Sequence, residues 1–221
     1  MTVNQIETLA AEIRSRLALL PEQKTANIRI VRREFSKRLA EATPDFVVQL
    51  TLQLLKNEVQ RFFAYELVQH HRKALGSLNS RKLKLLGEGI DSWPSVDSFA
   101  CYLSGPAWRR HQVSDGLIAR WARSDDRWWR RAAVVSTVPL NNKARGGKGD
   151  VVRTLEICSL VVHDRDEMVV KALSWSLREL AKRDARAVEE FLRAKHTFLS
   201  PRVVREVNNK LTTGLKNPRK S

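Results

Sequence analysis

Apolar residues recur at three- and four-residue steps along almost the whole chain, the spacing that lines one face of an α-helix. In residues 4–20 the stripe is Ile6, Leu9, Ala10, Ile13, Leu17 and Leu20, and Pro21 ends it. Residues 25–41 carry Ile28, Val31, Phe35 and Leu39 on one side and a dense set of Arg and Lys on the other. Thr43-Pro44-Asp45 is a helix start, because proline is pre-set for a first turn, and Phe46, Val47, Leu50, Leu54 and Leu55 follow as the apolar face. Glu58 to Lys73 repeats the pattern with Val59, Phe62, Phe63, Tyr65, Leu67 and Val68. After Gly76 and Asn79-Ser80, Leu83, Leu85, Leu86 and Ile90 predict another helix, loosened by Gly87 and Gly89. Period-two alternation is almost absent, and the pattern predicts an all-α fold.

Three segments align without gaps: Asn57-Glu58-Val59-Gln60-Arg61-Phe62-Phe63-Ala64, Asp126-Arg127-Trp128-Trp129-Arg130-Arg131-Ala132-Ala133 and Asp166-Glu167-Met168-Val169-Val170-Lys171-Ala172-Leu173. Each opens with an acid or amide able to cap, then an apolar pair, then a small residue where a neighbour can approach. The last two start 166 − 126 = 40 residues apart, and the first precedes the second by 126 − 57 = 69. Forty is the period of HEAT-type helix pairs, which bury their apolar faces only by stacking on one another. The expectation is a HEAT-like solenoid of about six antiparallel helix pairs with a concave basic groove, one domain over residues 1–214 followed by a basic tail at 215–221. A compact helical bundle is the alternative.

Charge narrows the partner. Lys and Arg exceed Asp and Glu by 40 − 24 = 16, with a pI near 10.5, and a field of that sign attracts phosphate. A membrane surface would also satisfy it, but no apolar stretch approaches the roughly 18 to 20 residues needed to span, and no apolar run follows a basic N-terminus. A soluble, cytoplasmic chain is expected. Cys101 and Cys158 stand 57 residues apart without CxxC spacing, which suggests buried thiols rather than a zinc site or disulfide framework. Between the second and third aligned segments, Lys143, Arg145 and Lys148 lie among Gly146, Gly147 and Gly149, predicting a flexible cationic loop with nothing to pack. Such a loop either lies along phosphates or is simply solvated.

The candidate chemistry centres on Asp91-Ser92-Trp93-Pro94-Ser95-Val96-Asp97-Ser98-Phe99. Pro94 puts Trp93 at or just before the N-cap of a helix and Asp97 in or just past its first turn, four residues on and on the same face. The dipole at that end is expected to hold Asp97 ionised. The plain alternative is a core Trp93 and a solvated Asp97. Of the other tryptophans, Trp108, Trp121 and Trp128 fall on apolar stripes and read as core, while Trp129, beside Trp128, is partly exposed in this reading. Trp175 lies off the stripe of Leu173, Leu177 and Leu180, between two serines, and reads as an exposed indole flanked by Lys171 and Arg178, suited to stacking on a nucleotide.

Ser92-Trp93-Pro94-Ser95-Val96-Asp97-Ser98, Trp128-Trp129-Arg130-Arg131-Ala132-Ala133 and Lys171-Ala172-Leu173-Ser174-Trp175-Ser176-Leu177-Arg178-Glu179-Leu180-Ala181-Lys182 together resemble the AlkD-like family of DNA alkylation repair glycosylases, over about residues 25 to 212. The resemblance implies a HEAT-like solenoid that hydrolyses the N-glycosidic bond of cationic N3- and N7-alkylated purines in duplex DNA without flipping the base. It implies Asp97 as the catalytic carboxylate, Trp93 and Trp175 as cleft tryptophans, and Arg131 as a phosphate contact, with Arg130 beside it. Pro94 and Ser95 depart from the family form, which carries bulkier or acidic residues there. Lys171 and Arg178, and Lys143, Arg145 and Lys148 of the loop, complete the candidate DNA contacts. No cofactor or metal is implied, and a monomer is expected. The competing reading is a non-catalytic HEAT-repeat module that binds nucleic acid or an acidic protein partner, since the scaffold and its charge need no catalytic site.

Overall fold

In the computed structural model, which describes residues 3–218, several helices begin where the chain offers a side-chain oxygen to the free N–H groups of a first turn. Thr43 accepts from Phe46 N–H at 3.3 Å, Asn79 from Lys82 at 2.9 Å, Asp126 from Trp128 at 2.8 Å, Asp166 from Met168 at 2.8 Å and Asp184 from Ala187 at 2.9 Å. The fold is all-α, and no strand occurs among the described residues. The chain divides after Gly89 into two compact units.

The first unit holds α1 (Val3–Ala18), α2 (Thr25–Arg38), α3 (Pro44–Lys56), α4 (Arg61–His70), α5 (Arg72–Gly76) and α6 (Ser80–Gly87). Its core gathers Phe35, Leu50, Leu54, Phe63 and Tyr65, with the Tyr65 hydroxyl donating to the Leu86 carbonyl at 2.7 Å. The helix expected over Glu58 to Lys73 is instead two. Asn57 closes α3 rather than capping the next helix, Glu58 takes a left-handed φ of 57°, and Gln60 opens α4 with no side-chain cap. At His71 the backbone is extended, and its Nδ1 accepts from Ala74 N–H at 2.9 Å to start α5. The first of the three aligned segments therefore does not begin a helix, whereas Asp126 and Asp166 both do.

The second unit holds α7 (Trp93–Phe99), α8 (Gly105–Arg109), α9 (Asp115–Ala122), α10 (Arg127–Val135), α11 (Val138–Asn141), α12 (Val151–Leu160), α13 (Glu167–Leu180), α14 (Ala185–Lys195) and α15 (Pro201–Thr213). Helix α10 packs between α7 and α13, and α13 between α10 and α15, a row in which each helix covers the next; α9 and α12 pack behind it. That is the stacking a HEAT-like period demands. Buried Ala132, Ala133 and Ala172 let the row close up.

Between α7 and α8 the helix widens into a π-helical turn, Ala100–Ser104, whose last bond runs from Gly105 N–H back five residues to the Ala100 carbonyl. Pro106 explains it. Proline has no N–H to give the carbonyl four residues back, and its ring would collide with that carbonyl in an α-helix. Gly105 is equally constrained, since a Cβ there would lie 2.7 Å from Pro139 Cγ and 2.8 Å from the carbonyl oxygens of Ala100 and Ser136.

The 141–150 loop corrects its expectation. Asn141 and Gly147 are buried, Lys143–Arg145 forms a 3-10 turn, and Gly146 and Gly149 take left-handed φ of 80° and 101°. Arg183 donates to the carbonyls of Asn141 at 2.7 Å and Gly147 at 2.9 Å, and Arg109 to those of Pro139, at 2.9 Å, and Arg145. Two distant arginines thus satisfy the loop's carbonyls and order it. Of the expected basic tail, residues 219–221 lie outside the described residues.

Candidate functional site

Ser92 stands at the N-cap of α7, its N–H donating to Ser95 Oγ at 3.2 Å, and Trp93 and Pro94 form the first helical positions. Ser95, Val96, Ser98 and Phe99 are buried, while Trp93 is 58% exposed. The core expectation for this indole fails because position one of the helix points away from the packed face. Asp97, just past the first turn, turns toward α10.

There it meets Arg131 side-on. Arg131 Nε donates to Asp97 Oδ1 at 2.9 Å and Nη2 to Oδ2 at 2.8 Å, a bidentate pair, and Nη1 donates to the Met168 carbonyl at the start of α13. The Arg131 side chain is 6% exposed and that of Asp97 19%. Burial pushes the Asp97 carboxyl above its usual range, and the hydrogen bonds and charge of Arg131 pull it back only in part. The partner that favours the ionised form is therefore Arg131, and the helix start is not the main influence. The two residues singled out separately in the chain form one buried ion pair that ties α7, α10 and α13 together.

An aromatic cluster backs this pair. Trp129 meets Phe99 edge-on at 5.9 Å between centroids and Trp121 at 4.8 Å, and Phe99 lies 5.9 Å from Trp121. Trp129 is half-buried, as expected; Trp128, expected in the core, is also only half-buried, with the Arg127 guanidinium 4.8 Å from its ring. Trp108 and Trp121 are core.

Trp175 lies seven residues beyond Met168, on the same side of α13 and about 10 Å along it at 1.5 Å per residue. It is half-buried rather than exposed, because Ser174 and Ser176 on either side are fully buried and draw that part of the helix inward. Lys171 pairs with Glu167 at 2.7 Å, and Arg178 Nε donates to Ser174 Oγ at 3.2 Å. Arg130 is engaged internally, with Asp164 at 2.6 Å and with the carbonyls of Ser124 and Asp125. Arg145 places its guanidinium 5.3 Å from the Tyr102 ring, while Lys143 and Lys148 are exposed. The structure thus gathers Asp97 and Arg131, sets Trp93 and Trp175 on the same two flanking helices, and leaves the loop cations apart on their own ordered turn.

Sequence reasoning missed the Met168 carbonyl and the Phe99, Trp121 and Trp129 cluster. The paired tryptophans at 128 and 129 were the available signal for the latter. Among the described residues no three His, Cys, Asp or Glu side chains group to hold a metal, and no helix is long and apolar enough to cross a membrane. Residues 23–211 match the family described as DNA alkylation repair enzyme. No curated protein matches the chain.

Proposed function

The chain belongs to the DNA alkylation repair enzyme family, and from that premise we propose that it is a monofunctional DNA glycosylase for cationic N3- and N7-alkylated purines in duplex DNA. The observation that carries the reading is Asp97: a carboxylate mostly withdrawn from water, still 19% exposed, oriented by two hydrogen bonds from Arg131, on a helix that opens with a largely exposed indole. Alkylation makes the purine a cationic leaving group. As its bond to C1′ breaks, the base departs with the bonding pair as a neutral purine and positive charge develops on the sugar. Asp97 stabilises that charge, in a setting of low polarity where an oriented anion acts strongly. Water then adds to C1′ and gives up a proton, leaving an abasic site. Trp93 and Trp175 offer π faces to the cationic nucleotide, and base flipping is not required. Arg131 sets the carboxylate and, with Arg130, Lys171, Arg178, Lys143, Arg145 and Lys148, supplies positive potential along the DNA.

Asp97→Asn keeps the shape and removes the charge. Single-turnover release of 7-methylguanine from methylated duplex should fall by roughly 10²-fold or more, as for loss of one preorganised electrostatic group. Unaltered excision would remove Asp97 from the chemistry. The same ion pair taken as a strut alone favours the non-catalytic module, which predicts no release of alkylated base by the wild-type chain at all.

A further inference from the structure

Glu206 is a carboxylate buried to 2% exposure in a chain of +16 charge, and its partners run in a line toward Trp175. Its Oε1 accepts from Arg202 Nε at 2.9 Å, with Lys216 Nζ 3.5 Å away, and its Oε2 accepts the Ser174 hydroxyl at 2.6 Å. Ser174 has one proton, and that geometry commits it to Glu206. The serine oxygen is then left as an acceptor, and it takes the Nε–H of Arg178 at 3.2 Å.

We propose that Glu206 and Ser174 are positioning residues for Arg178, fixing the plane of its guanidinium so that the two terminal nitrogens grip a backbone phosphate of the DNA beside Trp175. The proposal rests on the DNA-repair reading above and adds to it. With Nε committed, rotation of the fork is stopped, and its terminal nitrogens make no other hydrogen bond among the described residues. A preset fork of two donors is what a bidentate phosphate contact requires. A mere tie between α13 and α15 would be complete with Ser174 and Glu206 alone. Half-burying an arginine against that tie with its terminal nitrogens making no hydrogen bond among the described residues adds a desolvation cost that the nearby charges of Glu206 and Glu179 offset only in part.

A double-mutant cycle on the full chain tests this, using undamaged duplex for binding and methylated duplex for excision. Arg178→Ala should weaken duplex binding by about tenfold and lower the slope of log affinity against log salt by about 0.9. Ser174→Ala, which leaves Glu206 paired to Arg202, should reproduce about half or more of that loss on a logarithmic scale, and should have no further effect in the Arg178→Ala background. Glu206→Gln keeps the volume and should be silent in that background too. Losses that simply add, or an Arg178→Ala protein that binds duplex like wild type, would overturn the proposal. Excision by the wild-type chain judges the glycosylase reading separately, and it stands or falls without reference to this cycle.

Discussion

Arg131→Met removes the guanidinium and keeps an aliphatic stem of similar reach, so it strips Asp97 of its partner while disturbing packing little. The carboxylate is then buried and unpaired. At neutral pH it escapes that penalty by taking up a proton, which sets a ceiling: at about 1.4 kcal/mol per pH unit above an ordinary value near 3.9, protonation costs about 4 kcal/mol at pH 7 and about 1.5 at pH 5. The lost bond to the Met168 carbonyl adds about 1 kcal/mol at either pH, and relief from burying the guanidinium subtracts a share equally independent of pH. The diagnostic is therefore the difference, up to about 2.7 kcal/mol greater destabilisation at pH 7 than at pH 5. The sign follows from a folded-state carboxyl that titrates above its unfolded value: its contribution to stability is fully present below about pH 4 and is lost as pH rises through the folded value. Wild-type Asp97 obeys the same sign with smaller amplitude, since burial already lifts it. Denaturant unfolding followed by tryptophan fluorescence, at both pH values and constant ionic strength, measures this. Equal destabilisation at pH 5 and pH 7 would show that pairing Asp97 is not what Arg131 contributes to the fold.

Gly105→Ala should cost about 1 to 3 kcal/mol by overpacking, because the added methyl meets two backbone carbonyls and a proline ring that have no room to yield; an unchanged melting temperature would contradict the contacts described. Cys101 and Cys158 are both buried, and burial pushes each thiol up to about 12. Iodoacetamide at pH 8 should leave both intact in the folded chain and modify both in urea, and labelling of the native protein at the rate of a free thiol would refute the assignment.

The helices were legible because their signals are local. Thr43-Pro44-Asp45, Asp126 and Asp166 each combine a capping oxygen with an apolar stripe beginning a residue or two later, and each starts a helix. The break inside 58–73 was not legible, since it depends on His71 using its ring nitrogen as a cap, a role that residue type rarely signals. The loop at 141–150 reads as loose from its glycines, yet what orders it are Arg109 and Arg183, more than 30 residues away on either side. The same limit applies to the site. Asp97, Trp93, Trp175 and Arg131 were identifiable as residues, but the 34-residue ion pair between Asp97 and Arg131 exists only once α7 and α10 lie side by side, and the bond from Ser174 to Glu206 only once α13 meets α15.

The π turn at Ala100–Ser104 sets the direction of α7, and of the Asp97 it carries, independently of α8. One residue too many for an α-helix rotates everything upstream by about 100° relative to everything downstream. Upstream lie Trp93 and Asp97, aimed at Arg131; downstream lies Trp108, sunk in the core with its Nε1 donating to Asp115 at 2.6 Å. The turn works as a clutch between an anchor and a pointer. Deleting a single residue within 100–104 would take that offset away, with Trp108 still seated and the carboxylate swung from its arginine by about 100°, producing a folded protein whose chemistry is out of phase with its scaffold.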